Sequence, residues 1–170
     1  MPVYTFTTID DPLATGFDTR ALGINDAGQI VGTYTRGNSH GFLLSAGVFT
    51  TIDDPFADGG TDVSGINASG QIVGTYFFAG IAHAFLYSGG TNGTYTNFDE
   101  PLAVVITDAR AINNTGQIVG QFRDASNRRH GYLLSGGTFF TLDDPSATGD
   151  SITNGINDTP PSSVARTETK

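Results

Sequence analysis

The stretch GINDAGQIVGTY, Gly23 to Tyr34, decides the reading of this chain because it occurs again. It returns as GINASGQIVGTY from Gly65 to Tyr76 and as AINNTGQIVGQF from Ala111 to Phe122. A fourth copy opens at Gly155-Ile156-Asn157-Asp158 and then departs from the pattern. Two further landmarks keep the same spacing. One is an apolar-acid-acid-Pro turn: Asp10-Asp11-Pro12, Asp53-Asp54-Pro55, Asp99-Glu100-Pro101 and Asp143-Asp144-Pro145. The other is a His-x-aromatic-Leu segment beginning at His40, His83 and His130. The period is 42 to 47 residues, a length typical of repeated supersecondary units.

Each period reads as four short strands. The first runs into Gly-Ile-Asn, as in Thr19 to Ile24, and an Asn-x-x-Gly turn follows from Asn25 to Gly28. The second, Gln29 to Tyr34, is rich in β-branched and aromatic residues. The third begins at the histidine. The fourth, Val48 to Ile52, is closed by Asp53-Asp54-Pro55, since proline cannot continue a central ladder. Four strands in a period of this size is the signature of a β-propeller blade.

Composition agrees with an all-β chain of tight turns. Of 170 residues 23 are Gly, and 18 are Phe or Tyr, enough apolar surface to bury a core. With 17 acidic against 8 basic residues, the formal charge of −9 opposes a nucleic-acid partner. The absence of Cys excludes disulfides and thiolate chemistry. No apolar run approaches the length of a membrane span, and the start lacks the pattern of a signal peptide.

His83-Ala84-Phe85, beside GINxxGQIVGTY and the Asp-Asp-Pro turn, makes the chain resemble the bacterial HAF-repeat proteins, described as probable extracellular repeat proteins. The resemblance covers Val3 to about Asp158. It implies a propeller-like module, extracellular or at the cell surface, with no catalytic residues to carry over.

The strand count sets the expected architecture. Val3 to Ile9 reads as a lone fourth strand, followed by three complete sets at about 19–53, 61–99 and 108–143 and a lone first strand, Ser151 to Ile156. The expected domain is 1–158, with repeats at about 9–51, 52–97 and 98–141 and a partial one at 142–158. Three blades fall short of the usual four or more, so the expectation is an open propeller fragment, or one completed by a partner chain. Unpaired strand edges in such a piece would favour a homo-oligomer. A closed threefold fold, a β-trefoil or β-prism, stays open as the alternative and would carry a lectin-like, carbohydrate-binding role. A purely structural fragment of a longer repeat protein is the further alternative. The tail 159–170, TPPSSVARTETK, reads as non-repeat and disordered, and as the product of a frameshift or annotation error that truncates a longer repeat.

The candidate site residues are repeat positions. Three equivalent histidines, His40, His83 and His130, read as structural hydrogen-bonding groups, with a shared metal as the rival reading. The acidic pairs Asp10/Asp11, Asp53/Asp54, Asp99/Glu100 and Asp143/Asp144 read as turn caps, with calcium as the rival. Asn25, Asn67 and Asn113 read as turn formers. The basic loop Arg123, Asp124, Arg128, Arg129 and the apolar loop Phe77 to Ile81 break the repeat and read as solvated loop and local packing. No nucleophile elbow, phosphate loop or zinc helix motif occurs. The chain therefore reads as noncatalytic, binding a protein or glycan ligand, or serving as scaffold.

Overall fold

The structure, a computed structural model, describes residues 3, 5–15, 18–159 and 164–168, with 164–168 and Thr91 as backbone only. It is all-β, with one short 3-10 turn among the described residues, at Gly90–Asn92. The first unit contains β1 (Thr19–Ile24), β2 (Ile30–Arg36), β3 (Asn38–Ser45) and β4 (Val48–Ile52). The second contains β5 (Gly60–Ile66), β6 (Ile72–Phe78), β7 (Ile81–Ser88) and β8 (Thr94–Phe98). The third contains β9 (Ile106–Ile112), β10 (Ile118–Arg123), β11 (Arg129–Ser135) and β12 (Thr138–Thr141). Each is an antiparallel meander in chain order, and single parallel bridges, Ser39 to Gly60 and Ala82 to Ile106, join one meander to the next. β13 (Ser151–Ile156) pairs with β14 (Val164–Glu168) as a separate two-stranded sheet. The assembly is open and does not close into a ring. Among the described residues no helix is long and apolar enough to cross a membrane.

Apolar clusters between units hold the stack together. Val31, Leu43 and Ile52 of the first unit meet Val63, Ile72 and Phe85 of the second in one cluster. Val73 and Ala84 meet Ala109, Ile118, Phe122 and Tyr132 of the third in the next. Alternate residues of each strand thus face opposite neighbours, which is why the second strands read as nearly continuous apolar runs.

Two glycine positions have a geometric cause. Gly28, Gly70 and Gly116 end the Asn turns at φ of +73°, +74° and +79°, a region L-residues seldom enter. Gly32, Gly74 and Gly120 sit where a Cβ would lie 1.9, 2.1 and 1.8 Å from the carbonyl oxygens of Arg20, Asp62 and Asp108. Opposite them β1, β5 and β9 carry a β-bulge, skipping Leu22, Ser64 and Arg110 in the pairing register, and β13 has the same bulge at Asn154, where Arg166 and not glycine is the partner of Thr153. In the three complete units the bulge and the glycine go together: the bulged strand brings its carbonyl so close that a Cβ at the glycine would clash with it.

Two expectations are corrected. The described residues of 3–9 form no strand, and Val3 and Phe6 are each 94% exposed. The equivalent fourth strands β4, β8 and β12 each pair with a third strand of their own unit, whereas among the described residues no third strand pairs with this segment. Phe49, the counterpart of Phe6, packs on Phe42 of that third strand with ring centroids 5.4 Å apart. Nor is the tail wholly outside the ordered pattern, since Val164–Glu168 forms β14. Ile156 pairs with Val164 as Ile24 pairs with Ile30, across a link two residues longer and with the same bulge. Backbone pairing to the free edge of β13 asks little of the side chains, so the departure from the repeat motif did not prevent it.

Candidate functional site

The histidines are tied to the acidic turns, one pair per unit. His40 Nδ1 lies 2.7 Å from Asp53, His83 Nδ1 2.8 Å from Asp99, and His130 Nδ1 2.6 Å from Asp143. Each imidazole stacks on a ring near the end of the second strand, Tyr34, Tyr76 or Phe122, at 5.2, 5.1 and 4.9 Å. Asp10, the counterpart with no histidine opposite, is exposed. The third unit adds a contact, His130 Nε2 to Asp124 at 3.1 Å. Burial works to lower the His130 pKa, but the bonds to Asp143 and Asp124 outweigh it, and the net shift is upward. No group of three or more His, Asp or Glu side chains is placed to hold a metal ion among the described residues.

The second acid of each pair makes the turn itself. Asp11, Asp54, Glu100 and Asp144 accept from the N–H two residues on, at Leu13, Phe56, Leu102 and Ser146. Their own N–H groups donate to Thr19, Thr61, Thr107 and Ser151 at the start of the next first strand. Burial raises the Asp54 pKa, with the bond from Phe56 acting against it.

Asn25, Asn67 and Asn113 form a ladder that runs through the stack. In each, Oδ1 accepts from the N–H groups two and four residues on, and Nδ2 donates to the Gln that follows the turn. The second Nδ2 proton crosses to the next unit: Asn25 to the Asn67 carbonyl at 3.0 Å, Asn67 to Asn113 at 3.1 Å, and Asn113 to Asn157 at 3.0 Å. A single amide thereby closes a turn and spaces two sheets.

The loops that break the repeat have local uses. Asp124 accepts from Ser126 and Arg128 N–H and caps its own turn, while Arg123 reaches Asn127 and Arg128 reaches the Gly149 carbonyl. Phe78 is half exposed at the tip of the β6–β7 hairpin.

Reading by repeats missed a cleft. β1, β5, β9 and β13 lie side by side, and a cleft of about 520 Å³ opens where their bulges turn side chains inward. All four bulge residues, Leu22, Ser64, Arg110 and Asn154, line it, as do Arg20, Asp62 and Asp108 two residues earlier. Thr33, Thr75 and Gln121, equivalent positions of the second strands, close one side, and Phe77 and Ile106 supply apolar wall. These positions differ between repeats whose neighbours are nearly identical: Arg, Asp, Asp; Leu, Ser, Arg, Asn; Thr, Thr, Gln. That divergence is the signal in the sequence that could have found them.

The polar groups of the cleft form a directed network. Asp108 accepts from Thr75 Oγ1 at 2.9 Å, Arg110 Nε at 3.0 Å and Gln121 Nε2 at 2.9 Å. Arg110 also donates to Asn154. Asp62 has its pKa raised, first by burial and further by the charge of Asp108, against a hydrogen bond from Ser39 and the charge of Arg20. Gln121 is 5% exposed, and its Oε1 is buried without a hydrogen-bond partner.

No family model matches the chain, and no curated protein is significantly similar to it.

Proposed function

We propose that this chain is a noncatalytic binding module of propeller-type β-repeats, of the HAF-repeat kind, which takes its ligand in the first-strand cleft. The observation that carries the reading is the divergence of the cleft positions. Scaffold positions such as Asn25, Asn67 and Asn113 repeat faithfully, whereas the cleft positions change between units: Arg20 stands where the next two units have Asp62 and Asp108, Arg110 where the earlier two have Leu22 and Ser64, and Gln121 where they have Thr33 and Thr75. A repeat kept for architecture alone has no reason to place charged and amide groups of different kinds around one concavity. The network favours a binding role: Asp108 is held by Thr75, Arg110 and Gln121 together, which makes it an anchor for its neighbours.

The propeller reading is supported by the neighbouring first strands and by face-to-face packing of consecutive meanders. Work outside the cell or at its surface rests on the family resemblance. Self-association is favoured at the first unit, where Leu22 and Ile24 are 54% and 67% exposed, whereas Ile66 and Ile112, the counterparts of Ile24, pack into the clusters between units. A second copy would meet it with β13, extending the same stacking.

Mapping a library of small polar fragments by NMR tests the binding reading. Fragments are expected to shift the amides of Asp62, Ser64, Asp108 and Arg110 together. Uptake that maps to other surfaces, or none at all, would overturn it.

A further inference from the structure

We propose that the ligand of the first-strand cleft is a neutral polyhydroxylated compound, a mono- or disaccharide unit, an inference that rests on the binding reading above. The volume of about 520 Å³ lies within the usual range for small-molecule sites, roughly 300–1,000 Å³. Its charges cancel: Arg20 and Arg110 stand against Asp62 and Asp108. Asp108 and Arg110 are already joined at 3.0 Å, so neither offers a lone charge to an ion. An anion drawn to Arg20 meets Asp62 beside it, and a cation drawn to Asp62 meets Arg20. Opposed charges in one small site reject both signs.

What the cleft does offer is a mixture of single donors and acceptors. Gln121 Nε2 is pinned to Asp108, which leaves the buried Oε1 as an acceptor awaiting a donor. A buried acceptor without a partner costs free energy that a ligand hydroxyl would recover. Arg20 and Thr33 supply donors, and Asp62 an acceptor, around the same space. A hydroxyl both donates and accepts, so a ring bearing several satisfies this mixture where an ion cannot. The apolar part of the wall, Leu22, Phe77, Ala82 and Ile106, matches the C–H face that such a ring also presents.

The test is calorimetric titration of the full chain with panels of neutral mono- and disaccharides, hexuronates and free amino acids, each hit mapped by NMR. Neutral saccharides are expected to bind with shifts confined to the cleft. Ser64→Trp, which fills the cleft from the bulge of β5, is expected to abolish binding. Gln121→Met, which removes the open acceptor at similar volume, should weaken it about tenfold, the loss of one hydrogen bond to a buried group. Thr96→Ala on the exposed face of β8 should leave affinity unchanged, and circular dichroism melts of each variant verify the fold. Hexuronates or amino acids binding in the cleft in place of neutral sugars would overturn the ligand class and leave the module reading standing. No compound of any class mapping to the cleft would overturn both. Saccharide binding that survives Ser64→Trp in folded protein would overturn the site.

Discussion

Replacing Asn67 by Ala tests whether the Asn ladder holds the units together. Asn67 is 3% exposed and makes four bonds: from Ser69 N–H at 3.1 Å and Gln71 N–H at 3.0 Å, and to Gln71 Oε1 at 2.8 Å and Asn113 O at 3.1 Å. Ser69 is exposed, so its N–H regains water, and the Asn113 carbonyl keeps its bond from Gly116 N–H at 3.1 Å. The uncompensated losses fall on Gln71, at its N–H and at Oε1, and on the lost link between sheets. With about 1 kcal/mol for each net bond lost and about 1–3 kcal/mol for a buried group left bare, the variant loses about 3 kcal/mol. Asn25→Ala breaks the corresponding four bonds in a turn whose asparagine is only partly buried. Water reaches more of that turn, and the loss is about 1–2 kcal/mol. Asn67→Asp keeps both acceptor bonds but sets a buried carboxylate oxygen against Gln71 Oε1 and the Asn113 carbonyl, and loses at least as much as Asn67→Ala. The assay is urea unfolding followed by tyrosine fluorescence, which six Tyr and no Trp make clean. A loss below about 1 kcal/mol for Asn67→Ala, or an equal loss at Asn25, refutes the ladder as an inter-unit tie.

Other outcomes follow from the same geometry. Asp62→Asn should stabilise the protein at pH 7: the folded-state pKa is raised, so an ionised Asp62 costs stability that grows as pH rises through the unfolded value of 3.8. Equal melting temperatures for wild type and variant at pH 7 would contradict this. His130 should titrate above 6.5, stabilising the fold fully below that value and losing the contribution as pH rises through the folded pKa. NMR titration of the imidazole checks it, and Asp124→Asn should move the midpoint down. Gly74→Ala drives a Cβ to 2.1 Å from the Asp62 carbonyl, so it should both destabilise by roughly 1–3 kcal/mol or more and spoil cleft binding. Phe85→Ala, emptying a fully buried position between the first two units, should cost about 3–5 kcal/mol in the same urea assay. Asp26→Asn should strengthen self-association if copies stack end to end, since Asp158 stands in the turn position equivalent to Asp26, and Asp158 reaches the Asn114 side chain at 2.7 Å in the stack. Light scattering that shows equal monomers for both proteins would sink that arrangement.

Strands that pack on both faces were legible because their chemistry repeats. Ile30-Val31, Ile72-Val73 and Ile118-Val119 declare a buried second strand each time, and the glycine that follows declares a close approach. The fourth strand at Val3 to Ile9 was misread for the opposite reason: its residues fit the pattern, but a strand needs a partner, and local sequence does not supply one. The cleft residues were illegible for a third reason. Comparing repeats rewards sameness, while the positions that face one another across the cleft are those where the repeats diverge.

The sequence by itself determined the all-β class, the period, the turns and the glycines, because these depend on residues close together in the chain. It also marked the histidines, the acidic pairs and the asparagines as repeat positions, and the His–Asp and Asn–Asn contacts recur from unit to unit. Tertiary structure alone decided that the stack stays open, that Val164–Glu168 joins β13, and that Leu22, Ser64, Arg110 and Asn154 share one concavity. A bulge shifts a side chain from one face to another without altering the residue pattern, so its consequence appears only when neighbouring sheets are brought together.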